Sequence, residues 1–144
     1  QSIITVILAA HNKLRSSIAL GKYTALDKTF PAASNMLEMV NVSFVPQRAC
    51  DSWSNEFQES GLNSTTLTVA QFSAGIGHAT QMAWALSNQL GCGVALCQNN
   101  LQALVVCQYQ AKGNWLGSPI YLEGAACSAC PSGATCSKDQ GLCV

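Results

Sequence analysis

A chain of 144 residues, 49% of them hydrophobic, has enough apolar material for one domain with its own core, which excludes a disordered chain. Only a tenth of the residues are charged, and seven basic side chains are balanced by seven acidic ones. A net charge of zero excludes a basic face for nucleic-acid phosphates and a polybasic membrane-surface binder alike.

The first predicted helix covers residues 2–21. Ser2 is its N-cap, Ile3, Ile4, Ile7, Leu8, His11 and Leu14 recur at three- and four-residue steps on one face, and Gly21 stops it. Asn12, Lys13, Arg15 and Ser16 make up the wetter side. His11 on the apolar side reads as a packed histidine bonded to backbone rather than a catalytic one, because spacing brings no partner into reach. Residues 22–35 read as loop, broken by Asp27, Lys28, Pro31 and Asn35. A short amphipathic segment follows at Asn35–Val40, with Met36 and Met39 as core filler on a helical face. Pro46 keeps residues 41–48 irregular. Cys50–Ser60 reads as a helix capped by Asp51 or Ser52, with Trp53 and Phe57 on one face and Gly61 as its stop. Glu56 and Glu59 share that helix, and spacing alone does not choose which enters a cleft.

A short strand is predicted at Leu67–Phe72 and a short helix at Thr80–Trp84. Gly91–Leu96 and Leu101–Tyr109 read as strands joined by Cys97-Gln98-Asn99-Asn100, whose Asn pair suits a tight turn. The continuous apolar run Leu104–Cys107 predicts a strand covered on both faces, and Gly113 and Asn114 mark the next turn. Trp84, Tyr109 and Trp115 are expected in the core. From Gly124 the composition changes to a tail with Cys127, Cys130, Cys136 and Cys143. The Cys127-x-x-Cys130 spacing is that of half a zinc ribbon, but no histidine is near, and a disulfide-held tail is the better reading.

Eight cysteines, an even number, point to an oxidising compartment and up to four disulfides. Two sequons, Asn41-Val42-Ser43 and Asn63-Ser64-Thr65, make Asn41 and Asn63 glycosylation candidates. The chain starts at Gln1 without an initiator Met or n-region, as after removal of a signal peptide, and Ile3–Ala10 is too short to span a bilayer. The expectation is a secreted, soluble protein that does not cross a membrane.

Four segments carry a resemblance. Gly77-His78-Ala79-Thr80-Gln81-Met82-Ala83-Trp84 resembles the Gly-His-Tyr-Thr-Gln-x-x-Trp motif of the CAP superfamily (cysteine-rich secretory, antigen-5 and pathogenesis-related-1 proteins). Val105–Gly117 resembles its Val-Cys-x-Tyr-x-x-x-Gly-Asn-x-x-Gly motif. His11-Asn12-Lys13-Leu14-Arg15 and Asn35-Met36-Leu37-Glu38-Met39 resemble two shorter ones. The residues after Arg15 and the short cysteine tail look most like the activation-associated secreted proteins (ASPs) of parasitic nematodes. The resemblance implies an α+β fold, a three-layer α-β-α sandwich over residues 1–123, with residues 124–144 as the cysteine-rich tail. It implies that Cys92 pairs with Cys107. It leaves Cys50 as the remaining nearby candidate for Cys97, whose usual partner lies in a segment missing here.

Family members carry a cleft tetrad of two His and two Glu. Only two positions map onto this chain, Glu56 in Trp53-Ser54-Asn55-Glu56 and His78 in the Gly-His motif. The segment that should carry the other pair is absent between about residues 40 and 50, with Asn41-Val42 as its remnant, and His11 cannot substitute because the matching helix uses it structurally. Glu56 and His78 are then either a polar pair bridging helix and central layer or a half-formed site for zinc or another divalent cation. Three functions follow as expectations. The first is a non-enzymatic protein of a parasitic nematode acting on a host protein, immune receptor or host cell. The second is a sterol or lipid carrier, and the third a metal-dependent hydrolase, against which the half-present tetrad counts.

Overall fold

Helix α1, Ile3–Ala19, carries the side chains that tie the structure together. The computed structural model describes residues 3–41, 47–97 and 102–144. The proposed N-cap Ser2, the irregular stretch 42–46 and the turn at 98–101 lie outside them. After α1 the chain turns through Gly21 in the left-handed region. It then forms a two-stranded hairpin, β1 (Thr24–Ala25) and β2 (Lys28–Thr29), where loop was expected. Leu26 and Asp27 take positive φ at its tip, the twist that a two-residue hairpin turn requires.

Residues 31–39 are not helical. They run extended through single bridges, Ala33 with Glu123 and Leu37 with Cys143, into strand β3 (Val40–Asn41). Met36 and Met39 are fully buried as expected of core filler, but from a strap rather than a helix face. Nothing local holds this strap. Its partners come from other elements, including two bonds between Asn12 of α1 and the backbone of Met39.

Helix α2, Gln47–Ser60, begins earlier than predicted because Gln47, Arg48 and Ala49 all favour helix. Asp51 and Ser52 therefore lie inside it rather than at its cap. The expected strand near Leu67–Phe72 is instead helix α3, Val69–Ser73, opened by a capping box in which Thr68 and Gln71 bond each other's backbone N–H. Helix α4, Gly77–Ala83, leads to β4 (Gln89–Cys97) and β5 (Gln102–Gln110), which pair antiparallel beside β3 in the order β3-β4-β5. Helices α1, α2 and α4 pack on one another. Phe30, Phe57 and Tyr23 meet edge-on between them, at centroid distances of 5.0 to 6.2 Å.

The sheet departs from expectation on one side. Leu90, Cys92, Val105, Cys107 and Tyr109 face the core, but their neighbours on the other face do not find cover. Leu104 is 56% and Val106 52% exposed, so the run read as buried on both faces is buried on one. No described element packs on the second face. Trp115 is also exposed rather than core, with Lys112 4.2 Å above its ring.

The tail folds as β6 (Cys136–Ser137) against β7 (Leu142–Cys143), bridged by Cys127–Cys136 and Cys130–Cys143. Leu142 and Cys143 are buried, and Cys143 exchanges backbone bonds with Met36 and Glu38 on the strap. A third bridge joins Cys92 to Cys107 directly across β4 and β5. The pairing of Cys50 with Cys97 is not made. Cys50 is a free thiol buried on the face of α2 that meets Ala10 and Leu14 of α1, and the side chain of Cys97 lies outside the described part. Burial, helped by Asp51, pushes the Cys50 thiol up to about 11.

The buried face of α1 corrects the sequence reading most. Asn12 and Arg15, placed on the wet side, are buried. Arg15 donates to the carbonyls of Leu37, Met82, Trp84, Ala85 and Ser87, so one guanidinium closes the C-terminal end of α4 and pins the strap to it. Burial lowers its pKa to about 9. His11 is fully buried, with Nε2 3.1 Å from the Tyr109 hydroxyl.

Candidate functional site

Trp53 and Glu56 sit three residues apart on α2 and so share one face of it. His78 is the second residue of α4, whose N-cap, Ile76, offers no side-chain acceptor. Glu56 supplies it from the neighbouring helix. Its Oε2 accepts the Ala79 N–H at 2.9 Å, and its Oε1 accepts from His78 Nδ1 at 2.6 Å. A carboxylate at a helix N-terminus meets the unsatisfied N–H groups and the positive end of the dipole. The Trp53 indole stacks on the His78 ring, 5.2 Å between centroids and 3° from parallel. The Glu56 side chain is 16% exposed and that of His78 62%. The carboxylate is thus part of the scaffold and the imidazole is presented to solvent.

Behind His78 the two long motifs knit together. The Thr80 hydroxyl donates to Asn114 Oδ1 at 2.8 Å, and Asn114 Nδ2 donates to the Gly77 carbonyl at 2.7 Å. Gln81 accepts the Gly113 N–H at 2.8 Å, and Ser87 links Gln81 to the Ala111 carbonyl. Gly113 has no room for a side chain, because a Cβ there would lie 2.5 Å from the Trp84 ring.

His78 and Trp53 open onto a cleft of about 840 Å³ between the start of α4 and strand β5. Phe72 adds apolar wall, the stretch 105–109 of β5 closes one side, and Lys112 adds a polar group at the rim. The sequence did not single out Phe72 or Lys112. A large aromatic on the exposed face of a capped five-residue helix was the available signal for Phe72, and it depended on reading the capping box at Thr68. Glu59, the alternative carboxylate, is exposed and bonded to Asn55.

With Nδ1 held as the proton-bearing nitrogen, Nε2 of His78 is one open acceptor or ligand atom. Both Glu56 oxygens are committed. A protein zinc site of the catalytic kind takes three protein ligands. Among the described residues the one group of three with metal-ligand geometry is Cys127, Cys130 and Cys143, whose sulfurs are consumed in disulfides. The described residues do not fit a protein-held catalytic zinc. Hydrolysis without metal needs a nucleophile beside a base, and the described hydrogen bond of the His78 ring goes to Glu56.

The family model of the cysteine-rich secretory protein (CAP) family matches residues 28–109. The Ancylostoma secreted protein of Ancylostoma caninum is 33% identical over 188 positions, which take in 99% of this chain and 44% of that protein. Since 188 positions exceed the 144 residues here, more than forty of them have no counterpart in this chain. Peptidase inhibitor 15 of Xenopus laevis is 44% identical over 73 residues, 44% of this chain and 28% of that protein. The chain therefore spans less than half the length of these curated relatives. Among solved structures, Na-ASP-1 superposes with a TM-score of 0.87 at 31% identity, over all of this chain and 47% of that one. NaASP2, solved with Zn2+, superposes with a TM-score of 0.84 at 29% identity, over 99% of this chain and 95% of that one. The matched motifs, the close superposition on the ASP structures and the matched half of the sequence together make this chain a member of the cysteine-rich secretory protein (CAP) family, related to the secreted ASP proteins of nematodes.

Proposed function

We propose that this chain is a secreted, non-enzymatic binding protein of a parasitic nematode that engages a host protein or receptor through its cleft. The observation that carries the reading is the cleft itself, with an aromatic and aliphatic wall around one imidazole that has no nucleophile or second acid–base group beside it among the described residues. Rigid aromatics such as Trp53 and Phe72, half-exposed around a polar centre, are the side chains on which protein interfaces concentrate their binding energy. Three disulfides and the exposed Asn63 sequon agree with an extracellular site of action, and among the described residues no helix is long and apolar enough to cross a membrane. Peptide-N-glycosidase treatment of the natural protein should remove mass from the Asn63 peptide.

The test is saturable binding of labelled protein to host leukocytes, competed by unlabelled protein and lost in Trp53→Ala and Phe72→Ala. Binding that is not saturable, or that survives both substitutions, overturns it. An esterase or peptidase activity abolished by His78→Ala would restore the hydrolase reading. The apolar wall also favours sterol or lipid binding as a second reading, which a sterol-uptake assay without saturation removes. NaASP2 was solved with Zn2+, which makes zinc the cation to try on this chain. Calorimetric titration should give a zinc isotherm no tighter than an exposed histidine provides, and unchanged but for that weak term in His78→Ala.

A further inference from the structure

The open face of the sheet carries a relief that fits itself. The register of β4 and β5 puts Val106 directly beside Gly93 and Leu104 directly beside Ala95, and directly opposed residues of an antiparallel pair share a face. On the uncovered side, therefore, β5 raises a ridge of Leu104 and Val106 while β4 sinks a trough of Gly93 and Ala95. All four residues are exposed. Gly91 and Gln108 continue the same face, so no charged side chain lies along this stretch.

A two-fold axis running parallel to the strands, between two copies stacked face to face, carries β5 of one copy over β4 of the other without shifting position along the strand. Val106 then meets the partner copy's glycine at 93, and Leu104 meets its alanine at 95, twice over by symmetry. That is the isologous contact of a closed dimer, and sheets packed so lie about 10 Å apart with their inner side chains interdigitated. We propose that a second copy of this chain covers the open face in this way, forming a two-fold dimer through Leu104 and Val106 seated on Gly93 and Ala95.

One further observation is compatible with a second copy. The chain has a formal net charge of zero, so two copies meet without long-range repulsion. The patch is smaller than the 20–30 residues a side of a standard interface, so the dimer is weak.

Sedimentation equilibrium of the full oxidised chain over about 1 µM to 1 mM, a range that spans weak association, reads it directly. The weight-average mass should rise from 15.1 kDa towards twice that value and no further. Val106→Lys, at an exposed site, should stay monomeric throughout, with unchanged near-ultraviolet dichroism as the check on folding. Gly93→Val separates the fit from general stickiness. A Cβ at Gly93 meets nothing within 4 Å in the monomer, so the fold accepts it, yet it fills the trough. The ridge-and-trough dimer predicts at least tenfold weaker association for Gly93→Val, although the variant is more apolar. Tighter association in Gly93→Val, a monomeric wild type at 1 mM, undiminished association in Val106→Lys, or a mass running beyond the dimer each overturns the proposal.

Discussion

Replacing Arg15 by methionine keeps the length and apolar stem of the side chain and removes only its donors. In the native structure those donors serve five carbonyls at 2.5 to 3.1 Å. Trp84 and Ala85 also accept from the backbone of Ser87 and Leu37, so they keep a partner after the substitution. The Leu37, Met82 and Ser87 carbonyls have no other described bond; those of Met82 and Ser87 are left buried without a donor, and that of Leu37 is only partly buried. At about 1–3 kcal/mol for each of the two buried groups, the loss is about 2–6 kcal/mol. A gain from no longer burying a cation offsets part of it, and that gain is real, since burial is what brings the Arg15 pKa down to about 9. Swapping a whole buried ionic cluster for apolar residues is often neutral, but here the carbonyls belong to the backbone and cannot be swapped. The net expectation is a loss of about 1–5 kcal/mol, against a total stability of about 5–15 kcal/mol. Urea unfolding of the oxidised protein, followed by tryptophan fluorescence, measures it. A variant within about 1 kcal/mol of wild type would show that water or backbone rearrangement satisfies the carbonyls and that Arg15 does not hold the strap to α4.

Four other outcomes follow from the same coordinates. The Tyr121 hydroxyl is buried without a hydrogen-bond partner among the described residues, so Tyr121→Phe should be neutral or stabilising by about 1 kcal/mol, and a comparable loss in chemical denaturation would reveal a partner. Gly113→Ala drives a methyl into the Trp84 ring and should cost about 1–3 kcal/mol, read as a lowered melting temperature; an unchanged one contradicts the packing. The Cys50 thiol ionises near 9 when unfolded and about 11 when folded, so the unfolded state releases its proton first and stability declines as pH rises from 9 to 11. Cys50→Ser should flatten that limb, and native Cys50 should escape iodoacetamide at pH 8 until denaturant is added. Glu56→Gln keeps one acceptor but presents an amide N–H₂ to the imidazole, so nitrogen NMR should find the His78 proton moved from Nδ1 to Nε2 in the neutral ring.

The legible part of this molecule was the part whose residues bond within the two long motifs. Thr80 with Asn114 and Gln81 with Gly113 are partners between segments recognisable as strings, and they set His78 at the cleft. Glu56 needed the family resemblance to be chosen over Glu59, because both lie on one helix at plausible spacing. Arg15 was misplaced for a physical reason. Helical periodicity assigns polar residues to water, and nothing near Arg15 in sequence announces five carbonyls gathered from residues 37 and 82–87. Leu104 and Val106 failed in the opposite direction, since an apolar run reads the same whether one face of its strand is covered or two. The second half of the strap, from Asn35, reads as a helical face because Met36 and Met39 are three apart, a spacing that extended chain pinned from both sides also satisfies.

That strap separates rigidity from regular secondary structure. The amides of Leu37, Glu38 and Met39 bond to Ala85, Cys143 and Asn12, and the amide of Cys143 bonds back to Met36. Each bond joins segments remote in sequence, so none can open alone by fraying an end, as a helix terminus does. In native-state hydrogen exchange these irregular residues should therefore exchange as slowly as the global unfolding free energy permits, and more slowly than the first turn of α3. A protease would find the same order of resistance, reaching the strap only once α1, α4 and the tail have come apart together.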